Sequence, residues 1–168
     1  MSDEDKGLRL ATAYQKLLNA ADKALKNLAK EAKPVVSEAI QKGQEALSEA
    51  GEWTREELEH VGDYLIKDLL SAAEYVAEGE RELGDWLRLD LLYAEDKLLE
   101  TFSGMVDHTK LELDHIAQLA KTFGEWHTGE IAGMGTLECK SCGQLVHFNE
   151  PGHIPPCPKC HGTKYKRP

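Results

Sequence analysis

Apolar or small residues recur at Leu10, Ala13, Leu17, Ala21, Ala24 and Leu28. Steps of three and four keep these positions on one helical face, so the spacing predicts a first helix that ends near Lys33. Pro34 cannot continue that helix without losing a backbone hydrogen bond, but it suits the first turn of a second one through Val35, Ala39, Ile40 and Leu47, closed by Gly51. Thr54-Arg55-Glu56-Glu57 reads as a capping box, in which the threonine hydroxyl accepts from an orphan amide and Glu57 reaches back to the cap. Behind it Leu58, Val61, Leu65, Leu69, Ala72 and Val76 form a continuous stripe. After a break between Gly79 and Gly84 the rhythm resumes at Leu83, Leu87, Leu91, Ala94, Leu98, Phe102 and Met105. A further break is expected at Ser103-Gly104, before a last stripe of Leu113, Ile116, Ala120 and Phe123 that ends at Gly124.

Helices of about 20–27 residues would be about 30–40 Å long, and antiparallel packing of elongated hairpins buries such stripes. The Leu and aromatic positions are therefore read as core. From Trp126 to Gly135 the helical period disappears and three glycines enter, which predicts a connector over 126–135.

The chemistry lies beyond it. All four cysteines form two CxxC pairs, Cys139/Cys142 and Cys157/Cys160, separated by residues 143–156. A CxxC turn brings two sulfurs to one tetrahedral ion at about 2.3 Å, with the turn amides free to hydrogen-bond the sulfurs. Thr136–Glu138, Leu145–Phe148 and Lys164–Arg167 read as strands, Asn149-Glu150-Pro151-Gly152 as a turn, and Gly143 as a left-handed position after the first pair. So short a segment cannot bury enough apolar surface to fold alone, and a structural Zn ion is expected as its core. Rubredoxin-type iron and a redox dithiol are the alternatives. Four thiolates close the coordination sphere and leave no place for an activated water. His147, His153 and His161 are accordingly read as solvated, and His127 and Glu130 as capping or junction residues.

The expected fold is mainly α: an acidic, elongated antiparallel helical bundle or set of coiled-coil hairpins over 1–125, the connector, and a small β zinc ribbon over 136–168. Charge sharpens the division. Of the formal −10, residues 136–168 contribute +3, leaving −13 on residues 1–135. An acidic body argues against wrapping nucleic acid, so only the ribbon can meet a phosphate favourably. No apolar run approaches the ~20 residues that span a bilayer, and the acidic Met1–Lys6 segment does not look like a secretory leader. Paired cysteines in such a chain fit a reducing, cytoplasmic setting.

Trp126-His127-Thr128-Gly129-Glu130-Ile131, Gly133-Met134-Gly135-Thr136-Leu137-Glu138-Cys139 and the two knuckles together resemble the YbeL family of bacterial helical proteins with a C-terminal zinc ribbon. Thr54–Leu58 and Asp107–Leu113 are similar too, so the resemblance spans about residues 54–168. It implies zinc on Cys139, Cys142, Cys157 and Cys160, and no activity.

With no nucleophile, phosphate loop or Ser/His/Asp arrangement, the first expectation is a non-catalytic adaptor or regulator that binds a protein partner, with RNA polymerase or the ribosome as candidates and a homodimer compatible with the stripes. A rubrerythrin-like di-iron oxidoreductase is the enzymatic alternative, resting on Glu57–His60 and Glu112–His115, both ExxH, with Glu31 and Glu80 to complete a shell. Nucleic-acid binding through Lys164, Tyr165, Lys166 and Arg167 is the third reading.

Overall fold

The computed structural model describes residues 2–29, 36–78, 82–88, 96–119 and 124–168. Among these, α1 (Asp3–Ala29), α2 (Val36–Glu49), α3 (Arg55–Ala77), α4 (Leu83–Leu87), α5 (Asp96–Leu111) and α6 (Leu113–Leu119) precede six short strands. Lys33, Pro34, Val35, Gly79, Leu91, Ala94, Ala120 and Phe123, named in the sequence reading, lie outside the described residues, as do Glu31 and Glu80. No helix among the described residues is long and apolar enough to cross a membrane.

The stripes are the core. Leu17, Ala21, Leu58, Val61, Leu65, Leu69 and Ala72 are all buried, as are Phe102 and Met105. Helix α1 packs on α2, α3 and α5, and α3 packs on α5 and α6. The predicted capping box starts α3: Glu57 N donates to Thr54 Oγ1 at 3.1 Å, and Thr54 N donates to Glu57 Oε2 at 2.8 Å. Helix α2 receives its N-terminal partner from far away in the chain, since Val36 N donates to Glu112 Oε2 at 2.8 Å. That carboxylate satisfies an amide that has no partner inside its own helix.

Two helix boundaries differ from the sequence reading. The rhythm through Leu83, Leu87 and Phe102 predicts one helix, yet α4 stops at Leu87 because Arg88 adopts the left-handed conformation at φ 48°. The short α4 lies so that Trp86 stacks on Phe102, with ring centroids 5.8 Å apart. Conversely, α5 runs straight through Ser103-Gly104 to Leu111. Burial of Phe102, Met105, Val106 and Thr109 outweighs a helical glycine's cost of about 1 kcal/mol.

The C-terminal part holds β1 (Trp126–His127), β2 (Ile131–Ala132), β3 (Gly135–Cys139), β4 (Leu145–Phe148), β5 (Gly152–His153) and β6 (Lys164–Lys166). One antiparallel sheet has the order β1-β6-β3-β4, and β2 pairs with β5 in a second. Strands β3, β4 and β6 fall where alternation and turn residues place them. The stretch 126–135, read from sequence as a connector, contributes two strands: Trp126 pairs with Tyr165, and Ile131 with His153. Two-residue strands are too short to display a period, so only their long-range partners identify them.

A candidate metal centre and its docking network

The two CxxC turns are built alike. In the first, Cys139 N donates to Gln144 O at 2.8 Å and Gly143 N to Cys139 O at 2.9 Å. In the second, Cys157 N donates to Gly162 O at 2.9 Å and His161 N to Cys157 O at 2.9 Å. The fifth residue of each knuckle is left-handed, Gly143 at φ 80° and His161 at φ 61°. The sequence reading anticipates the glycine but not the histidine, whose role is this backbone turn.

All four Sγ atoms lie within 4.8 Å of one another, with Cys139–Cys160 at 3.6 Å and Cys142–Cys157 at 3.5 Å. Sulfurs about 2.3 Å from a tetrahedral ion are about 3.8 Å apart, so the quartet has the shape of such a site. Its electrostatics point the same way. Burial works to raise the Cys157 thiol, but the amides of Cys160 and Lys159 and the Cys142 and Cys139 thiols outweigh it and bring it down to about 6. At Cys139 burial is likewise overcome, by the amides of Cys142 and Ser141. The Gly162 amide, 3.4 Å from Cys160 Sγ, works to lower Cys160, yet the Cys142 thiol, burial and the Cys139 and Cys157 thiols push it up to about 12. The knuckles ionise some sulfurs readily and resist ionising the last. A divalent cation removes that conflict, because it favours every thiolate at once.

The other candidate residues are occupied elsewhere. His147 Nδ1 lies 2.9 Å from Thr136 Oγ1, which donates to Leu87 O at 2.9 Å. His153 packs on α1, where a Cβ at Gly7 would come within 2.8 Å of its own Cβ. Glu57 forms two hydrogen bonds with Arg9, each 3.1 Å, besides its cap, and His60 is an exposed neighbour of Glu56. Glu112 caps α2. Among the described residues, the quartet is the one group of three or more His, Cys, Asp or Glu side chains within ligation reach of each other. The terminal residues divide: Tyr165 is buried with its hydroxyl donating to Pro155 O at 2.8 Å, whereas Lys164 and Lys166 are exposed, Lys164 facing Glu125 at 3.5 Å.

Arg167 leads to a feature that the sequence reading missed. Its Nη2 donates to Asp68 Oδ1 at 2.7 Å, in the middle of α3. Trp126 Nε1 donates to the same oxygen at 3.1 Å, while Tyr14 Oη and Gly133 N each donate to Oδ2 at 2.7 Å. This fully buried carboxylate therefore has four donors, three of them from the ribbon. Beside it, Lys67 Nζ donates to Glu130 Oε2 at 2.5 Å and to Glu125 O at 3.1 Å, and stands 5.3 Å from the Trp126 ring centroid. Glu130 Oε1 also lies 3.2 Å from His127 Nδ1, so both residues work at the junction. The Arg167 guanidinium lies 4.2 Å from the Trp86 centroid and 5.3 Å from that of Trp126. The signal was present in the sequence: Leu58, Val61, Leu65, Asp68 and Ala72 keep the 3,4 spacing, placing a carboxylate in the apolar stripe.

The sequence profile of the zinc-ribbon containing domain family matches residues 14–168. The chain belongs to this family. Its match begins at Tyr14, within α1, and so takes in the rest of that helix and all of α2, beyond the residues 54–168 on which the YbeL resemblance rests. The uncharacterized protein YbeL of Escherichia coli K12 is 26% identical over 163 residues, covering 95% of this chain and 96% of the relative. YbeL of the CFT073 and O157:H7 strains aligns with the same identity and coverage. No solved structure matches the chain.

Proposed function

We propose that this family member is a non-catalytic, cytoplasmic protein-binding adaptor whose ribbon is built on one structural zinc ion held by Cys139, Cys142, Cys157 and Cys160. The observation that carries the reading is the all-sulfur quartet, with every Sγ within 4.8 Å of the others. Zinc bound there supplies rigidity: four sulfur ligands complete its tetrahedron and leave no position for a reacting water.

A protein partner is favoured over a nucleic acid by where the charges point. The aromatic and the arginine proposed for base stacking and phosphate contact, Tyr165 and Arg167, are buried in the ribbon and on Asp68. Residues 1–135 carry −13, and the helices form an open groove of about 420 Å³ between α2 and α3, lined by Gln41, Glu45, Glu49, Arg55 and Glu59 among others. Carboxylates so placed suit basic side chains of a partner. RNA polymerase and the ribosome are the partners to test first.

Protein purified without chelator is expected to carry about one zinc equivalent with its four thiols protected from alkylation. Affinity capture should then enrich one of the two machines relative to a Cys139→Ser/Cys142→Ser control. Freely alkylated thiols would overturn the metal reading, and equal recovery with the control would overturn the choice of partner.

A further inference from the structure

We infer that the metal centre and the helical body form one thermodynamic unit joined at Asp68, so that loss of the ion undocks the ribbon and weakens the helices. The inference rests on the quartet holding zinc, as proposed above.

Asp68 and Lys67 are buried on α3, 0% and 3% exposed, and they meet the ribbon with almost all of their polar contacts. With the ribbon docked, Asp68 accepts from Trp126, Gly133, Arg167 and Tyr14. Undocked, only the Tyr14 contact remains from this set, and Lys67 loses both the Glu125 carbonyl and the Glu130 carboxylate. Two adjacent ionised groups would then have to find water or unfold their turn of α3. A buried charge deprived of its partner is among the more destabilising events in a protein core.

The ion reaches this pair through β6. Arg167 follows directly on that strand, whose register is set by Cys139 opposite Tyr165, by Lys140 N donating to Lys164 O at 2.9 Å and by Thr128 N donating to Thr163 O at 2.9 Å. Cys139 is a knuckle residue, and the second knuckle closes at Gly162, just before the strand. The strands are two to five residues long, and two of the seven buried residues at the ribbon's core, Cys139 and Cys157, are themselves sulfur donors. A sheet of that size without its ion has too little apolar burial to hold β6 in register. Metal therefore fixes β6, β6 places Arg167 beside Trp126, and both satisfy Asp68. Coupling of this kind is reciprocal, so the helices must also tighten the ribbon's hold on zinc.

Full-length protein tests this with two readouts: zinc affinity by competition with a chromophoric chelator, and helix melting by circular dichroism with and without metal. In the wild type, chelation is expected to lower the helix melting temperature. Arg167→Met should still bind one zinc through four protected thiols, but on the order of tenfold more weakly, with a smaller shift on chelation. Asp68→Asn should act in the same direction if it folds. Tyr14→Phe is the control, since it removes a donor from α1 and none from the ribbon: it should lower melting with zinc affinity retained. Wild-type zinc binding with helix melting unmoved by chelation overturns the coupling alone, as does equal zinc affinity in Arg167→Met. Equal loss of zinc affinity in Tyr14→Phe and Arg167→Met also overturns it. Wild-type protein that binds no zinc overturns the metal reading and this inference with it.

Discussion

Two residues show how closely the chemistry of single positions is set. Gly133 lies against Asp68 with its amide donating, and a Cβ there would stand 2.5 Å from Tyr14 Oη and 3.0 Å from Asp68 Oδ2. Neither oxygen can retreat without leaving its hydrogen bond, so Gly133→Ala is expected to cost about 1–3 kcal/mol in urea unfolding, the range for overpacking a tight site. A loss under about 0.5 kcal/mol would show that the network tolerates a methyl group, contrary to this geometry. His161 is the opposite case, a side chain where the first knuckle has a glycine. Its left-handed φ of 61° costs a non-glycine residue about 1 kcal/mol, but glycine in its place loses a similar amount through a looser unfolded chain. His161→Gly should thus leave zinc affinity nearly unchanged, whereas β-branched His161→Val should weaken it severalfold in chelator competition. The cysteine quartet was legible in sequence because spacing alone brings two thiols into one turn. Asp68 was harder to find, because its partners Tyr14, Trp126 and Arg167 are 54, 58 and 99 positions away.

At the scale of elements, capping was the most reliable sequence signal, because its physics is local. The Thr54 box forms as spelled out, and Thr54→Ala is expected to cost about 1 kcal/mol of stability by thermal or urea unfolding. Glu57 adds a pH dependence. The Arg9 guanidinium, foremost, and then the Thr54 amide and hydroxyl hold its carboxyl below 4.5 against the opposing effect of burial. A carboxyl depressed in the folded state adds stability that is present above its unfolded value and lost as the pH falls through the folded one. Wild type should therefore melt higher than Glu57→Gln at pH ~6, and the gap should narrow as the pH falls to ~3. A gap constant over that range would assign Glu57 a packing role instead; the Arg9 pair is about one-third exposed, so solvent screens much of its attraction. Helix ends without such caps were less legible. Sequence placed a break at Gly104, where burial of Phe102 and Met105 carries α5 onward, and no break after Leu87, where Arg88 turns the chain to stack Trp86 on Phe102.

For the molecule as a whole, the division into helices and ribbon was legible from period and cysteine spacing, but the relation between them was not. Residues 126–135 read as a connector because they lack a helical period, yet their strands and the Trp126 and Gly133 donors lie at the junction itself. The distinction has a measurable consequence at the chain's last residues. Trimming two residues from a solvated terminus normally changes stability little. Here a chain ending at Lys166 keeps all four cysteines and the three residues of β6, but it takes from Asp68 the only guanidinium among its four donors. It also removes the cation that lies against Trp86 and Trp126. Leaving a buried carboxylate uncompensated costs about 3–5 kcal/mol, a large part of the 5–15 kcal/mol that stabilises a typical domain. The truncated chain should bind zinc with its thiols protected and yet unfold at much lower urea when α-helix is followed at 222 nm. A midpoint equal to that of the intact chain would mean that water or a neighbouring donor replaces Arg167, and that the terminal strand only decorates the helices.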